Sequence, residues 1–183
     1  DGSRDDSFSV GTGFDRPPGK LALLPDGRIA VAGDFTTFAG LSCGRIVLLG
    51  RDGSSDPSFA AGSGFNAAVE SLAVQLDGSV VVGGSFTQFA GSPAERLVRL
   101  NPDGTLQAGF GAGAGPDFTV SDICLQVGDN VVVAGAFGSF GPAPRYYLAQ
   151  LDPNFTLVPS YAAGPTWQLS SGVQDMADLV DGR

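Results

Sequence analysis

The stretch VVVGGSFTQFAG at residues 80–91 runs from an unbroken apolar segment through a glycine pair to two phenylalanines three residues apart. Closely similar stretches occupy residues 29–40 (IAVAGDFTTFAG) and 131–142 (VVVAGAFGSFGP). A short, continuous apolar run bounded by turn residues is typical of a strand that is buried on both faces. The repetition predicts that one kind of buried strand is built three times.

The three stretches belong to an internal repeat with a period of 51 residues. The period holds without insertion or deletion through three consecutive copies, and the first residues of a fourth copy follow it. A fixed period of this length is the signature of a repeat architecture. The positions that keep it are Gly33, Gly84 and Gly135, Phe35, Phe86 and Phe137, Phe38, Phe89 and Phe140, and Leu49, Leu100 and Leu151.

Each copy alternates short apolar runs with turn signals. In the second copy, a polar segment (54–65) precedes AVESLAVQLDG (68–78), which closes on Asp-Gly, a hairpin signal. The buried run SVVVGGSF (79–86) follows, and a predicted loop, TQFAGSPAE (87–95), leads to the strand RLVRL (96–100). We therefore predict four short strands in each copy and no helix.

Four short antiparallel strands with a period near 50 describe a β-propeller blade. We predict an all-β fold, a β-propeller of about 51-residue four-stranded blades, present as an incomplete arc of roughly three and a half blades. The predicted blades cover 1–51, 52–102, 103–153 and, incompletely, 154–183. We expect the phenylalanine pairs to pack between blades and the recurring glycines to permit close approach where blades converge. An arc of this length does not close a ring, so we expect additional polypeptide, from the same or another chain, to complete the propeller.

Charge excludes several classes of partner. The net charge is −9, from 19 acidic and 10 basic residues, so a phosphate backbone or an anionic membrane surface is repelled. No run approaches the roughly 20 apolar residues of a membrane span. We predict no nucleic-acid binding and no membrane insertion. The N-terminal stretch DGSRDDSF (1–8) is polar and acidic and does not resemble a signal peptide.

The chain lacks the residues that common catalytic sites need. It has no histidine, which excludes Ser-His-Asp and Cys-His arrangements, and its two cysteines, Cys43 and Cys124, are too few for a structural zinc site. A disulfide between them stays open. Asp5, Asp6, Asp34 and Asp129 are candidates for a pair of catalytic carboxylates, but turn formation explains the aspartates better. We predict that the protein is not an enzyme.

Calcium is the more serious metal possibility, because it takes oxygen ligands from aspartate and from carbonyl groups. Asp52 and Asp56 lie four residues apart in DGSSD, and carboxylates of this kind are calcium ligands. The third copy has Gln107 at the position of Asp56, and no complete calcium-binding loop occurs. The prediction is no cofactor, with these two aspartates as the calcium candidates.

A glycan is the second possible ligand. Arg45 and Arg96 recur at the period, and Trp167 is the only tryptophan. An arginine and an exposed aromatic ring suit a sugar, whereas an arginine stem also covers apolar surface. Both interpretations of these three residues remain open.

Four elements of the second copy in combination resemble the delta-60 β-propeller repeat. They are DGSSDPSF (52–59), GSGFN (62–66), LAVQLDGSVVVGGSFTQFAG (72–91) and RLVRLNPDG (96–104). That repeat occurs in large bacterial exported and surface proteins and has no established general function. The resemblance implies a propeller fold and an extracellular or cell-surface location, with any signal peptide removed or upstream, and it carries over no catalytic residue.

Two functions from different classes fit these observations. The first is a non-catalytic scaffold of an exported bacterial protein, which mediates protein–protein contact or self-assembly. The second is a carbohydrate-binding accessory domain of a secreted carbohydrate-active enzyme. We favour the scaffold.

Overall fold

The computed structural model describes residues 6–107, 115–162 and 176. Within these ranges the secondary structure is entirely β, with sixteen strands and no helix. The described residues accordingly contain no helix that is long and apolar enough to cross a membrane.

The first sheet is an antiparallel arrangement of three strands in the order β1-β2-β5. Its strands are β1 (Pro18–Leu23), β2 (Ile29–Gly33) and β5 (Ile46–Leu49). A separate small hairpin lies between β2 and β5 in the chain. Its two strands, β3 (Thr37–Phe38) and β4 (Leu41–Ser42), have two residues each. Each connection is short, so successive strands are neighbours in space.

The second and third sheets repeat this arrangement with every strand bound shifted by 51 residues. The second copy consists of β6 (Val69–Val74), β7 (Val80–Gly84), β8 (Gln88–Phe89), β9 (Ser92–Pro93) and β10 (Leu97–Leu100). The third consists of β11 (Val120–Leu125), β12 (Val131–Gly135), β13 (Ser139–Phe140), β14 (Ala143–Pro144) and β15 (Leu148–Leu151), and it is extended by β16 (Leu157–Ala162). The sequence repeat is therefore a structural repeat.

A fourth segment pairs with the last strand of every sheet. In the third sheet it is β16, which is antiparallel to β15. In the first two sheets it is reduced to single bridges, Leu49 with Ser55 and Leu100 with Leu106. Because β16 follows residue 153, the third sheet includes residues on both sides of the boundary drawn from the sequence.

The Asp-Gly hairpins form for a local reason that is visible in the turn between β6 and β7. Gly78 has a φ of 83°, a conformation that glycine adopts without strain. The Asp77 carboxylate accepts a hydrogen bond from the backbone N–H of Ser79 at 2.8 Å. The Asp side chain and the glycine backbone thus stabilise the same turn.

The segment predicted as a loop, TQFAGSPAE, contains the β8–β9 hairpin, and this part of the prediction was wrong. Its two turn residues, Ala90 and Gly91, have φ values of 48° and 80°. Two consecutive positive φ values define a type I′ hairpin turn. Alanine seldom occupies the first of these positions, so the turn left no standard signal in the sequence.

The central strand of each sheet is its most buried element. All five residues of β7 and of β12 are buried, and in β2 only Ile29 is partly accessible. Aliphatic residues on both faces of these strands therefore leave water, which is the main favourable contribution to folding.

Among the described residues, three hydrophobic clusters join successive sheets, and two of them contain phenylalanines at the repeat positions. The first contains Ala32 and Ile46 of the first copy together with Phe65, Phe86 and Phe89 of the second. In the second cluster, side chains of the second sheet meet side chains of the third, among them Val81, Leu97, Val120, Phe137 and Phe140. The repeat phenylalanines of the second and third copies thus lie in the contacts between sheets, whereas Phe35 and Phe38 pack among residues of the first copy.

The recurring glycines act within a sheet and not where sheets converge, which corrects the expectation from the sequence. A Cβ on Gly84 would lie 2.2 Å from the backbone oxygen of Ala68, in the segment that enters its own sheet. Gly135 has the same relation to the oxygen of Thr119, at 2.0 Å. A β-bulge beside each glycine brings the two backbones together. A close approach between sheets occurs instead at Gly83, whose Cβ would lie 2.6 Å from Val120.

Candidate functional site

Arg45 and Arg96, the candidates for ligand binding, connect successive sheets. The guanidinium of Arg45 donates from Nη1 to the backbone oxygen of Phe65 at 2.7 Å. Arg96, one period later, donates from Nη1 to the backbone oxygen of Pro116 at 3.2 Å. Each arginine therefore binds the segment that leads into the next sheet. Trp167 lies outside the described residues.

The backbone at these arginine positions is unusual. Arg45 and Arg96 have φ values of 71° and 62°, and Tyr147, at the same position of the third copy, has 67°. Positive φ is uncommon for residues other than glycine, and it persists where the surroundings determine it. The side chains at this position are thus held in a fixed direction by the fold.

A set of three carboxylate or amide side chains, not identified from the sequence, fixes the small hairpins. We call Asp15, Asn66 and Asp117 the hairpin clamps. Asp15 Oδ1 accepts hydrogen bonds from the backbone N–H groups of Thr36 and Thr37 at 2.8 and 2.9 Å. The clamp positions are 51 residues apart, so the period would have revealed them if Asp and Asn had been treated as equivalent.

The other two clamps repeat this geometry. Asn66 Oδ1 accepts from the backbone N–H groups of Thr87 and Gln88 at 2.9 and 3.0 Å, and its Nδ2 donates to the Thr87 hydroxyl. Asp117 Oδ1 accepts from the N–H groups of Gly138 and Ser139 at 2.8 and 3.0 Å. An amide therefore replaces a carboxylate in the same role.

The calcium candidates are occupied by turn contacts. Asp52 Oδ1 accepts from the hydroxyl and the backbone N–H of Ser54, and these two hydrogen bonds lower the pKa of Asp52. Asp56 accepts from the hydroxyl of Ser58 at 2.7 Å and forms a salt bridge with Arg28 at 2.7 Å. Within the described ranges, no group of three or more Asp, Glu, His or Cys residues is arranged to hold a metal ion.

The candidate catalytic carboxylates are not brought together as an acid–base pair. Asp34 forms salt bridges with Arg16 and Arg45. Asp129 has a φ of 62° in the turn between β11 and β12. Among the carboxyl groups of the described residues, only that of Glu70 has a raised pKa, because it is partly buried, and it is hydrogen-bonded to Ser85. Asp5, another of the candidates, lies outside the described residues.

A cavity of about 180 Å³ opens beside the β3–β4 hairpin. Its lining includes Phe38, Leu41, Cys43, Asp56 and Phe59. Burial and the negative charge of Asp15 raise the pKa of the Cys43 thiol, so the neutral thiol and not the reactive thiolate is favoured. Cys43 and Cys124 are not joined to each other.

The most exposed apolar side chains stand at the tips of the first hairpins. Leu76 is 89% exposed and Val127 is 96% exposed, and they occupy the same position of the second and third copies. Each lies between the first and the central strand of its sheet. We call these two residues the apolar tips.

A comparison with protein families agrees with this repeated all-β architecture. A family model described as a domain of unknown function (DUF5122), beta-propeller, matches residues 24–59 and 75–110. The two matched segments are offset by 51 residues, so they cover equivalent parts of the repeat, and each runs from one copy into the start of the next. The fold is a β-propeller. We refer below to each sheet with its small hairpin as a blade.

No curated protein matches the chain. The matched family has no assigned activity, and it indicates no catalytic class. The propeller fold is thus known, whereas the function must be argued from the blades themselves.

Proposed function

We propose that this chain is a non-catalytic interaction scaffold that mediates protein–protein contact or self-assembly. One observation carries the proposal. The polar side chains that recur every 51 residues form hydrogen bonds within and between the blades. The exposed side chains at the hairpin tips, in contrast, differ between copies and are apolar.

The hydrogen bonds within and between the blades use the polar groups that a small ligand would need. The hairpin clamps bind backbone N–H groups, and Arg45 and Arg96 bind carbonyl groups of the following blade. Desolvating such groups to bind a ligand would break these hydrogen bonds, and each bond contributes about 1 kcal/mol to stability. The recurring arginines are therefore better explained by packing of blades than by sugar binding.

The apolar tips are the feature that favours contact with a protein. Leu76 and Val127 project from corresponding turns of adjacent blades, where the first copy has Pro25. An exposed leucine and valine at equivalent points of two rigid blades present apolar area at a fixed spacing. The net charge of −9 favours a partner with a basic rim around an apolar contact.

The setting in an exported bacterial protein is part of the same proposal. It is supported by the resemblance of four elements of the second copy to the delta-60 repeat. Fractionation of the source cells tests it, with recovery outside the cytoplasm as the expected result and recovery in the cytoplasm as the contradicting one.

The interaction proposal is tested by affinity capture from an extract of the source organism. The baits are the wild-type chain, a Leu76→Ser/Val127→Ser variant, and a Leu41→Ser variant as the matched control, since Leu41 is also 67% exposed. We expect a protein that the wild type and the control enrich and the tip variant does not. Absence of any tip-dependent capture contradicts the proposal.

A glycan array with the same proteins and an Arg45→Ala variant tests the carbohydrate-binding alternative. We expect no glycan signal from any of them. A glycan signal that Arg45→Ala abolishes would establish the alternative instead.

A further inference from the structure

The cavity beside the β3–β4 hairpin lies between the first blade and the segment that leads into the second. Its lining includes residues of that hairpin and of β5. It also includes residues 59–62, which precede Phe65 of the cluster between the first two blades. All of the lining residues lie between positions 38 and 62. A molecule in the cavity would therefore contact the first blade and the segment that enters the second.

The lining of this cavity is particular to the first copy. Phe38 and Val47 have the same residue types one period later, at Phe89 and Val98. Several other lining residues have different counterparts. Leu41, Cys43, Leu48, Ser55 and Asp56 are replaced in the second copy by Ser92, Ala94, Arg99, Leu106 and Gln107. The architecture of a blade therefore does not require these five residue types.

The size of the cavity restricts what it can hold. Its volume of about 180 Å³ is below the roughly 300–1,000 Å³ of pockets for drug-sized ligands. An engineered apolar cavity of about 150 Å³ in another protein holds benzene. The volume therefore suits a molecule with a single ring.

Much of the lining is apolar and removed from water. Phe38, Ile46 and Leu48 are buried. Phe59 is half-buried and adds an aromatic ring. Because an unpaired polar group loses free energy among such side chains, most of the ligand must be apolar.

Asp56 is the charged residue of the lining, and it can accept one more hydrogen bond. Its Oδ1 accepts from the backbone N–H and the hydroxyl of Ser58, and its Oδ2 accepts from the guanidinium of Arg28. A carboxylate offers about four acceptor sites. These hydrogen bonds occupy three of them, which leaves one for a donor in the cavity.

The charges around Asp56 favour a neutral ligand. The guanidinium of Arg28 lies 2.7 Å from Oδ2 of Asp56 and balances the charge of the carboxylate. Burial raises the pKa of the Cys43 thiol, so the thiol stays neutral and adds no second charge. A cation therefore finds no unbalanced carboxylate, and an anion would lose its hydration without gaining a partner.

We propose that this cavity binds a small neutral molecule that consists of a single ring with one hydrogen-bond donor. The ring packs among Phe38, Leu48 and Phe59, and the donor binds the carboxylate of Asp56. The site shares no residue with the apolar tips. It therefore goes beyond the scaffold function, and either proposal can fail without the other.

Titration of the intact chain with phenol, followed by amide NMR, tests the site. We expect saturable shifts of the amides of Cys43, Asp56 and Ala61, which line the cavity. Toluene has the same ring without the donor, so we expect it to bind about tenfold more weakly. Absence of saturable shifts with phenol would overturn the proposal. Equal or tighter binding of toluene would overturn the ligand class and the role of Asp56.

A Ser55→Leu variant tests the location of binding. Ser55 is exposed at the cavity, and the second copy carries Leu106 at this position, so the larger side chain fills space without disturbing the blade. We expect the variant to lose the phenol shifts. Ser92→Leu is the matched control, because Ser92 is also exposed and corresponds to Leu41 of the first copy. Phenol binding that survives Ser55→Leu in a chain with the wild-type circular dichroism spectrum would overturn the site.

Alkylation of the unaltered chain provides a test that needs no variant. Cys43 lines the cavity, whereas Cys124 lies in β11 of the third blade. Iodoacetamide is added with and without saturating phenol, and the two thiols are followed by peptide mass spectrometry. We expect phenol to slow the alkylation of Cys43 and to leave that of Cys124 unchanged. Equal rates at Cys43 with and without phenol would contradict occupation of the cavity.

Discussion

At the scale of single residues, positive φ values recur at equivalent points of the copies. The residues concerned are Ala39, Ala90 and Gly141 in the small hairpins and Arg45, Arg96 and Tyr147 before the third strands. An alanine, an arginine or a tyrosine at positive φ costs about 1 kcal/mol or more, and the surrounding contacts must offset this cost. At the arginine positions, the hydrogen bond to the next blade provides part of the compensation.

Replacing Arg45 by alanine tests the contribution of this hydrogen bond. Arg45→Ala leaves the backbone strain and removes the donor to the Phe65 oxygen, so we expect the free energy of unfolding to fall by about 1–2 kcal/mol. Arg16→Ala is the control, because Arg16 also pairs with Asp34 but is exposed. We expect a change within about 0.5 kcal/mol for the control, measured by urea unfolding. Equal effects of the two changes would contradict the role assigned to Arg45.

Acid sensitivity follows from the first hairpin clamp. The backbone N–H of Thr37 and the hydroxyl of Thr36 lower the pKa of Asp15 to about 2 from an ordinary value of 3.8. A lowered pKa in the folded state means that this carboxylate stabilises the fold above about pH 4, and that its contribution is lost as the pH falls through about 2.

Asp15→Asn and Asp15→Ala separate the charge of this clamp from its hydrogen bonds. Asparagine keeps the acceptor, as Asn66 does in the second blade, so we expect near-normal stability at pH 7 and a weaker pH dependence between about 4 and 2. Alanine removes the acceptor, so we expect lower stability already at pH 7. Thermal unfolding across this pH range measures both effects. An Asp15→Asn variant with the wild-type pH dependence would rule out this origin of acid sensitivity.

At the scale of elements, the close backbone contact beside each β-bulge requires a glycine. Gly84→Ala places a Cβ against the backbone oxygen of Ala68, which cannot move aside as a flexible side chain would. We expect a loss of about 3 kcal/mol in the free energy of unfolding. Gly19→Ala is the matched control, since its nearest contact would be an ordinary 3.7 Å and its effect should stay below about 1 kcal/mol. A comparable effect at the two sites would refute the close contact.

The elements could be predicted from the sequence to different extents. The central strands were predictable because an apolar run such as VVV at 80–82 has few alternatives once its turns are marked by Asp-Gly. The β8–β9 hairpin was not predictable, because its turn has Ala90 at a position of positive φ where Asn or Gly is more common. The role of Gly84 was misassigned because a β-bulge depends on register, which the sequence pattern does not display.

At the scale of the whole molecule, stability depends on contacts that cross from one blade to the next. Phe86 is completely buried in the cluster that also contains Ala32 and Ile46 of the first blade. We expect Phe86→Ala to cost about 3–5 kcal/mol and to lower the unfolding transition of both blades together. Phe118→Ala is the control, because Phe118 is 57% exposed, and it should have little effect. Unfolding of the second blade alone in the Phe86→Ala variant would show that the blades are independent.

The candidate site could be predicted less well than the fold. A period of 51 residues is a long-range regularity, so it identifies buried positions shared by all copies. The proposed contact surface lies where the copies differ, with Leu76 and Val127 in place of Pro25, so the period carries no information about it. From the sequence alone, Asp52 and Asp56 were plausible calcium ligands. In the folded chain, their carboxylate oxygens accept hydrogen bonds from neighbouring serines.

Successive blades are joined to one another by hydrogen bonds as well as by apolar packing. The backbone N–H of Phe65, which lies outside any strand of more than one bridge, donates to the oxygen of Gly44 in the preceding blade at 2.9 Å. Residue-resolved amide hydrogen exchange by NMR measures this bond directly. We predict that the Phe65 amide exchanges as slowly as the amides of β2 and β7. Exchange at the rate of an exposed turn such as Gly53 would show that this hydrogen bond does not join the two blades.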